Sequence, residues 1–161
     1  METIKNKLDK ILSSICVFLF ATLVILVSWQ VFTRFVLNNP SSFSEELAKY
    51  CFVWLVLFGA ALVFGENGHM RIEFIQDNMP IKLRIVAQLF IEISIILFSA
   101  LVLISGGLTS TKIAWTQMSA SLNVPIGYLY AVMPVSGACI IFYCIYNIYK
   151  IVKTKKPLVM S

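Results

Sequence analysis

Charge is what this sequence has least of. Of its 161 residues 13% are Asp, Glu, Lys or Arg, 59% are hydrophobic, and the mean hydropathy is +0.86. A soluble domain carries roughly 25% charged residues. This chain has too little polar surface to cover a globule in water, so part of its solvent is lipid. Histidine is nearly absent as well. The one histidine, His69, lies outside the apolar runs, which argues against the paired axial ligands of a four-helix membrane cytochrome. Cys16, Cys51, Cys139 and Cys144 each sit inside an apolar run without CxxC spacing, so they read as small hydrophobes and not as disulfides or metal ligands. No Gly-rich phosphate loop, metal-ligand cluster or Ser/His/Asp set is apparent. The expectation is a protein that is not an enzyme and uses no cofactor. The net charge of +5 does not point to nucleic acid, because the basic residues flank the apolar runs.

What is present is four long apolar segments. No charged residue falls between Ile11 and Thr33, a stretch of 23 residues. As a helix it is about 34 Å long, enough to span a bilayer. It is longer than a usual leader core and no small-residue cleavage site follows, so it reads as a span. Asn38, Asn39 and Pro40 turn the chain. Ser42-Phe43-Ser44-Glu45 resembles a capping box that opens a second helix, with Glu45 and Lys49 spaced i,i+4. Its charge-free part, 50–65, is short, so Lys49 is expected to snorkel to the headgroups.

Gly65-Glu66-Asn67-Gly68 breaks that helix, and His69 to Met79 reads as a short amphipathic segment lying along the membrane surface. Pro80 opens a third helix, and a fourth starts near Pro125 or Gly127 and continues to Tyr149. The expected spans are about 11–33, 47–64, 81–106 and 127–149, in a single membrane domain. Pro134 is expected to kink the fourth helix, and Ser136, Gly137 and Ala138 give it a thin face for close helix packing. The expected class is therefore an all-α integral membrane protein with four transmembrane helices and short amphipathic interfacial helices. Ten Lys and Arg flank one side (Lys5, Lys7, Lys10, Arg71, Lys82, Arg84 and the four after Tyr149) and three the other (Arg34, Lys49, Lys112). By the positive-inside rule both termini are cytoplasmic.

Glu92 is the one acid expected inside a span. The favoured reading is an interfacial carboxylate or one paired with a basic residue of a partner. The alternatives are the ion site of a small homodimeric transporter, or a structural or assembly protein without a transport role. Glu45 and Glu46 read as first-turn acids that complement the helix dipole, with partner docking as the alternative.

The middle of the chain resembles a known family. Arg34, Asn38-Asn39-Pro40, Ser44-Glu45-Glu46-Leu47-Ala48, Trp54, Gly59, His69-Met70-Arg71-Ile72-Glu73-Phe74 and Met79-Pro80 follow in an order similar to the small (Q, or DctQ-type) membrane subunit of tripartite ATP-independent periplasmic (TRAP) transporters. Asn123-Val124-Pro125 and Met133-Pro134-Val135 resemble that family's last helix entry. The resemblance implies a multi-pass protein of the bacterial inner membrane. Its implied partners are a large membrane subunit that moves sodium and an organic-acid anion (sialic acid or a C4-dicarboxylate), and a periplasmic substrate-binding protein. It implies a scaffold role for this chain. Arg34, Phe43, Glu45, Glu46 and Lys49 would serve partner or periplasmic docking, with Phe43 standing where the family often has Trp. His69, Arg71 and Glu73 would lie at the cytoplasmic interface, and Gly59, Pro134 and Gly137 would serve helix packing.

Overall fold

The computed structural model describes residues 2–39, 41–65 and 80–154. The expected interfacial segment, with His69, Arg71 and Glu73, lies outside the described residues. Among those described, the architecture is helical. Helix α1 spans Glu2–Phe35, α2 Ser42–Gly65, α3 Ile81–Phe98, α4 Gly107–Ala114 and α5 Gly127–Thr154. A π-helical segment, Ser99–Gly106, joins α3 to α4 without a break, so Leu83–Ala114 acts as one long rod. Among the described residues, four helices are long and apolar enough to cross a membrane.

The long-range contacts give the topology. Asp9 of α1 and Gly65 of α2 both meet Tyr143 of α5. Trp54 meets Tyr128, while Glu92 of α3 meets Asn147 and Gly107 meets Pro134. Thus α2 and α5 run parallel, and α1 and the α3–α4 rod run antiparallel to them. Successive helices alternate in direction, as four crossings with short connections require.

Helix α5 is the hub. Val132, Ser136, Ile140, Tyr143, Asn147 and Ile151 are buried at spacings of three or four, which places them on one helix face. The core gathers Leu12, Phe58, Ala61, Val132, Ile140, Tyr143 and Cys144. Helix α1 contributes little to it; Leu12 and Thr33 are its buried residues. Val17, Phe18, Phe20, Ile25, Trp29 and Phe35 are exposed, as suits a face toward lipid or a partner subunit.

Two irregularities face each other where α5 meets the rod. Pro134 lacks an amide hydrogen and leaves one bond of the helix ladder unmade, inside a helix that continues through it. Its ring lies against Gly107, where an added methyl would come within 2.9 Å of Pro134 Cδ. A methyl on Gly137 would lie 2.8 Å from Leu103 Cβ, inside the π segment. The expected packing roles of Pro134 and Gly137 thus have defined contacts. Gly59 differs: a methyl there would meet nothing within 4 Å, so no part of the described chain presses on it.

Candidate functional site

The most organised polar structure outside the core lies where α2 begins and the loop between α4 and α5 ends. The start of α2 departs from the expected capping box. Ser41, not Ser42, is the cap: the Ser44 N–H donates to Ser41 Oγ at 3.4 Å and the Glu45 N–H to Ser41 O at 3.2 Å. The Ser44 hydroxyl also donates to Ser41 O at 2.9 Å. Glu45 does not reach back to the cap, because its Oε1 takes Lys49 Nζ at 2.9 Å on the exposed face. The Lys49 ammonium, and more weakly Arg34, holds the Glu45 carboxyl below the ordinary carboxylate range.

Glu46 points the other way. Its Oε2 accepts the Ser121 N–H at 2.7 Å and the Leu122 N–H at 3.1 Å. The Ser119 hydroxyl, and the Ser121, Leu122 and Ala120 amides against a partial desolvation, hold its carboxyl below the ordinary range. Successive N–H groups converging on one oxygen form a backbone anion nest, filled here by a side chain of the same molecule. The loop has further ties. Ser119 N–H donates to Val124 O and Ile126 N–H to Gln117 O, both at 2.9 Å, and Met118 bridges to Pro125. Asn123 takes a positive φ of 53°, which Asn tolerates better than most residues. Below the loop, Trp54 Nε1 donates to Tyr128 O at 3.2 Å, and Trp115 lies 5.1 Å from the Tyr128 ring. A cleft of about 300 Å³ opens between Ser42, Glu45, Glu46, Lys49 and the loop residues Ala120 and Ser121.

Of the residues expected to dock a partner, Arg34, Phe43, Glu45 and Lys49 are exposed, while Glu46 is half-buried and committed to the loop. Of the loop, only Asn123-Val124-Pro125 stood out in the sequence, as a helix entry and not as a partner of Glu46. Its Ser and Asn residues are common turn formers, and nothing in their spacing points across 75 residues to Glu46.

The second polar cluster lies at the opposite end. Glu92 is 2% exposed and faces α5, where Asn147 Nδ2 donates to its Oε1 at 3.1 Å. Within this chain Glu92 is thus bonded to a neutral amide on α5. Nearby, the Tyr143 hydroxyl donates to Asp9 Oδ1 at 2.6 Å, and Lys5 Nζ donates to Asp9 Oδ2 at 2.8 Å. Asn147 was overlooked in the sequence because only ionisable groups were weighed inside the spans. A lone amide in an apolar helix is a signal of the same kind.

A four-helix membrane protein with polar pairs hydrogen-bonded between its own helices, one end finished as a fixed loop and a charged helix start, belongs to the class of multi-pass membrane components. The family follows from comparison. The sequence profile of the DctQ component of tripartite ATP-independent periplasmic transporters matches residues 23–154, and the chain belongs to that family. It is a multi-pass protein of the bacterial inner membrane. The sialic acid TRAP transporter small permease protein SiaQ of Vibrio cholerae is 28% identical over 153 residues, covering 95% of this chain and 88% of its own length. The sialic acid TRAP transporter permease protein SiaT of Haemophilus influenzae is 26% identical over 137 residues, which are 85% of this chain but 22% of that protein.

Proposed function

We propose that this chain is the small, non-transporting membrane subunit of a sodium-driven, binding-protein-dependent importer of an organic-acid anion. Sialic acid is the favoured substrate, because two relatives carry it in their names. The observation that carries the reading is where the polar groups go. Glu92 and Asn147, Asp9 and Tyr143, and Glu46 and the 119–122 loop are hydrogen-bonded to one another across the fold. A subunit that binds no substrate needs no open midplane charge; it needs apolar outer faces, and this chain has them on α1 and α3.

The 10-to-3 distribution of Lys and Arg supports an orientation with both termini cytoplasmic. The loop of residues 115–126 and the start of α2 then face the periplasm, within reach of a soluble binding protein. The match to part of a longer permease supports a large membrane subunit as the second partner. Purification of the tagged chain from native membranes in mild detergent is expected to bring down a large polytopic subunit in stoichiometric amount. Recovery of the chain without any polytopic partner would contradict the scaffold reading.

A further inference from the structure

We propose that Glu46 is a positioning residue for docking of the periplasmic binding protein, and that the direct contacts are made by the 116–124 loop that it shapes. This rests on the reading above. Glu46 and Glu45 are neighbours, but a helix turns about 100° per residue, so their side chains leave on different faces. Glu45 stays in solvent with Lys49. Glu46 reaches 75 residues along the chain to the loop, where Ser121 and Leu122 donate to a single carboxylate oxygen. Ser119 adds a second tie through its Oγ, which accepts the Leu122 N–H at 3.2 Å.

Without Glu46 those amides would turn to water. Asn123 would then hold its positive φ with less support, because the crossing bonds of Ser119 and Ile126 depend on the same turn. The side chains presented at the rim are those suited to a protein contact. Met118, Trp115 and Tyr128 are exposed beside the loop, Phe43 is exposed on α2, and Glu45 and Lys49 line a cleft with Ala120 and Ser121. A soluble partner meeting this end therefore touches a preformed surface whose shape Glu46 sets from behind. Preformed surfaces bind more tightly because less ordering is left to do on contact.

The test is sodium-driven uptake by proteoliposomes holding this chain with its large subunit, titrated with binding protein. Glu46→Ala is expected to raise the half-saturating binding-protein concentration about tenfold, a loss of one to two net hydrogen bonds, with the maximal rate retained. Glu46→Gln keeps an oxygen acceptor for Ser121 and Leu122 and is expected to stay within about twofold of the parent. Equal impairment of Gln and Ala variants would mean that the charge itself meets the partner, and would overturn the proposal. No effect of either would overturn it too. If Glu46→Ala fails to assemble with the large subunit, Ser119→Ala replaces it, with a smaller rise expected and no rise contradicting the proposal. A parent complex whose uptake ignores the binding protein would instead sink the functional reading on which this one rests.

Discussion

Two polar side-chain pairs in this protein are drawn from different helices. Asn147 and Glu92 hold α5 to α3, and Tyr143 and Asp9 hold α5 to α1. In a lipid-facing bundle such pairs fix rotation and register, because apolar packing alone discriminates weakly between neighbouring registers. Asn147→Ala removes a donor from a buried carboxylate and is expected to cost about 1–3 kcal/mol, read as a lower unfolding midpoint of the purified subunit. Asn147→Asp is expected to be worse, since it sets a second carboxylate beside Glu92. Glu92→Gln keeps an acceptor facing Asn147, so folding, assembly and uptake should survive. Loss of uptake in that variant with assembly intact would favour an ion-coupling role for Glu92. Of these residues, Glu92 alone was legible in the sequence. Glu92 stood out in an apolar run, but Asn147 lies 55 residues away, and only the antiparallel packing of α3 on α5 brings them together.

Among the elements, α5 and the α3–α4 rod show how irregular helices fit. The π segment widens the rod over Ser99–Gly106, at the height where Gly137 lets Leu103 approach. Pro134 and Gly137 were readable as a ladder break and a thin face, because both follow from residue type alone. The π segment was not, since it arises from the meeting of two helices. Gly65 shows the same dependence on context. It reads as a helix stop, yet it also leaves room for the Tyr143 ring, which a methyl would approach to 2.6 Å. That ring is tethered through its hydroxyl to Asp9 and cannot swing away freely. Gly65→Ala is therefore expected to destabilise the subunit by about 1–3 kcal/mol through overpacking. Gly59→Ala, with open space around it, should leave the isolated subunit unchanged. Thermal unfolding of the two variants side by side measures the difference.

At the scale of the whole molecule, the four long helices and the membrane class were plain from hydropathy, because lipid demands long uninterrupted apolar runs. Orientation rests on the basic residues, and function on how the surface is divided. The core is built around α5, one end is closed by the Glu46-bound loop, and the outer faces of α1 and α3 remain apolar and exposed. These features suit a platform that holds a transporting partner in the bilayer and offers a fixed surface to a soluble one. The most direct test reconstitutes the components in proteoliposomes in every combination and measures uptake of labelled sialic acid under an inward sodium gradient. No uptake is expected from this chain alone, or from this chain with binding protein, and sodium-dependent uptake is expected when the large subunit and the binding protein are both added. Sodium-driven uptake by this chain alone would contradict the scaffold role.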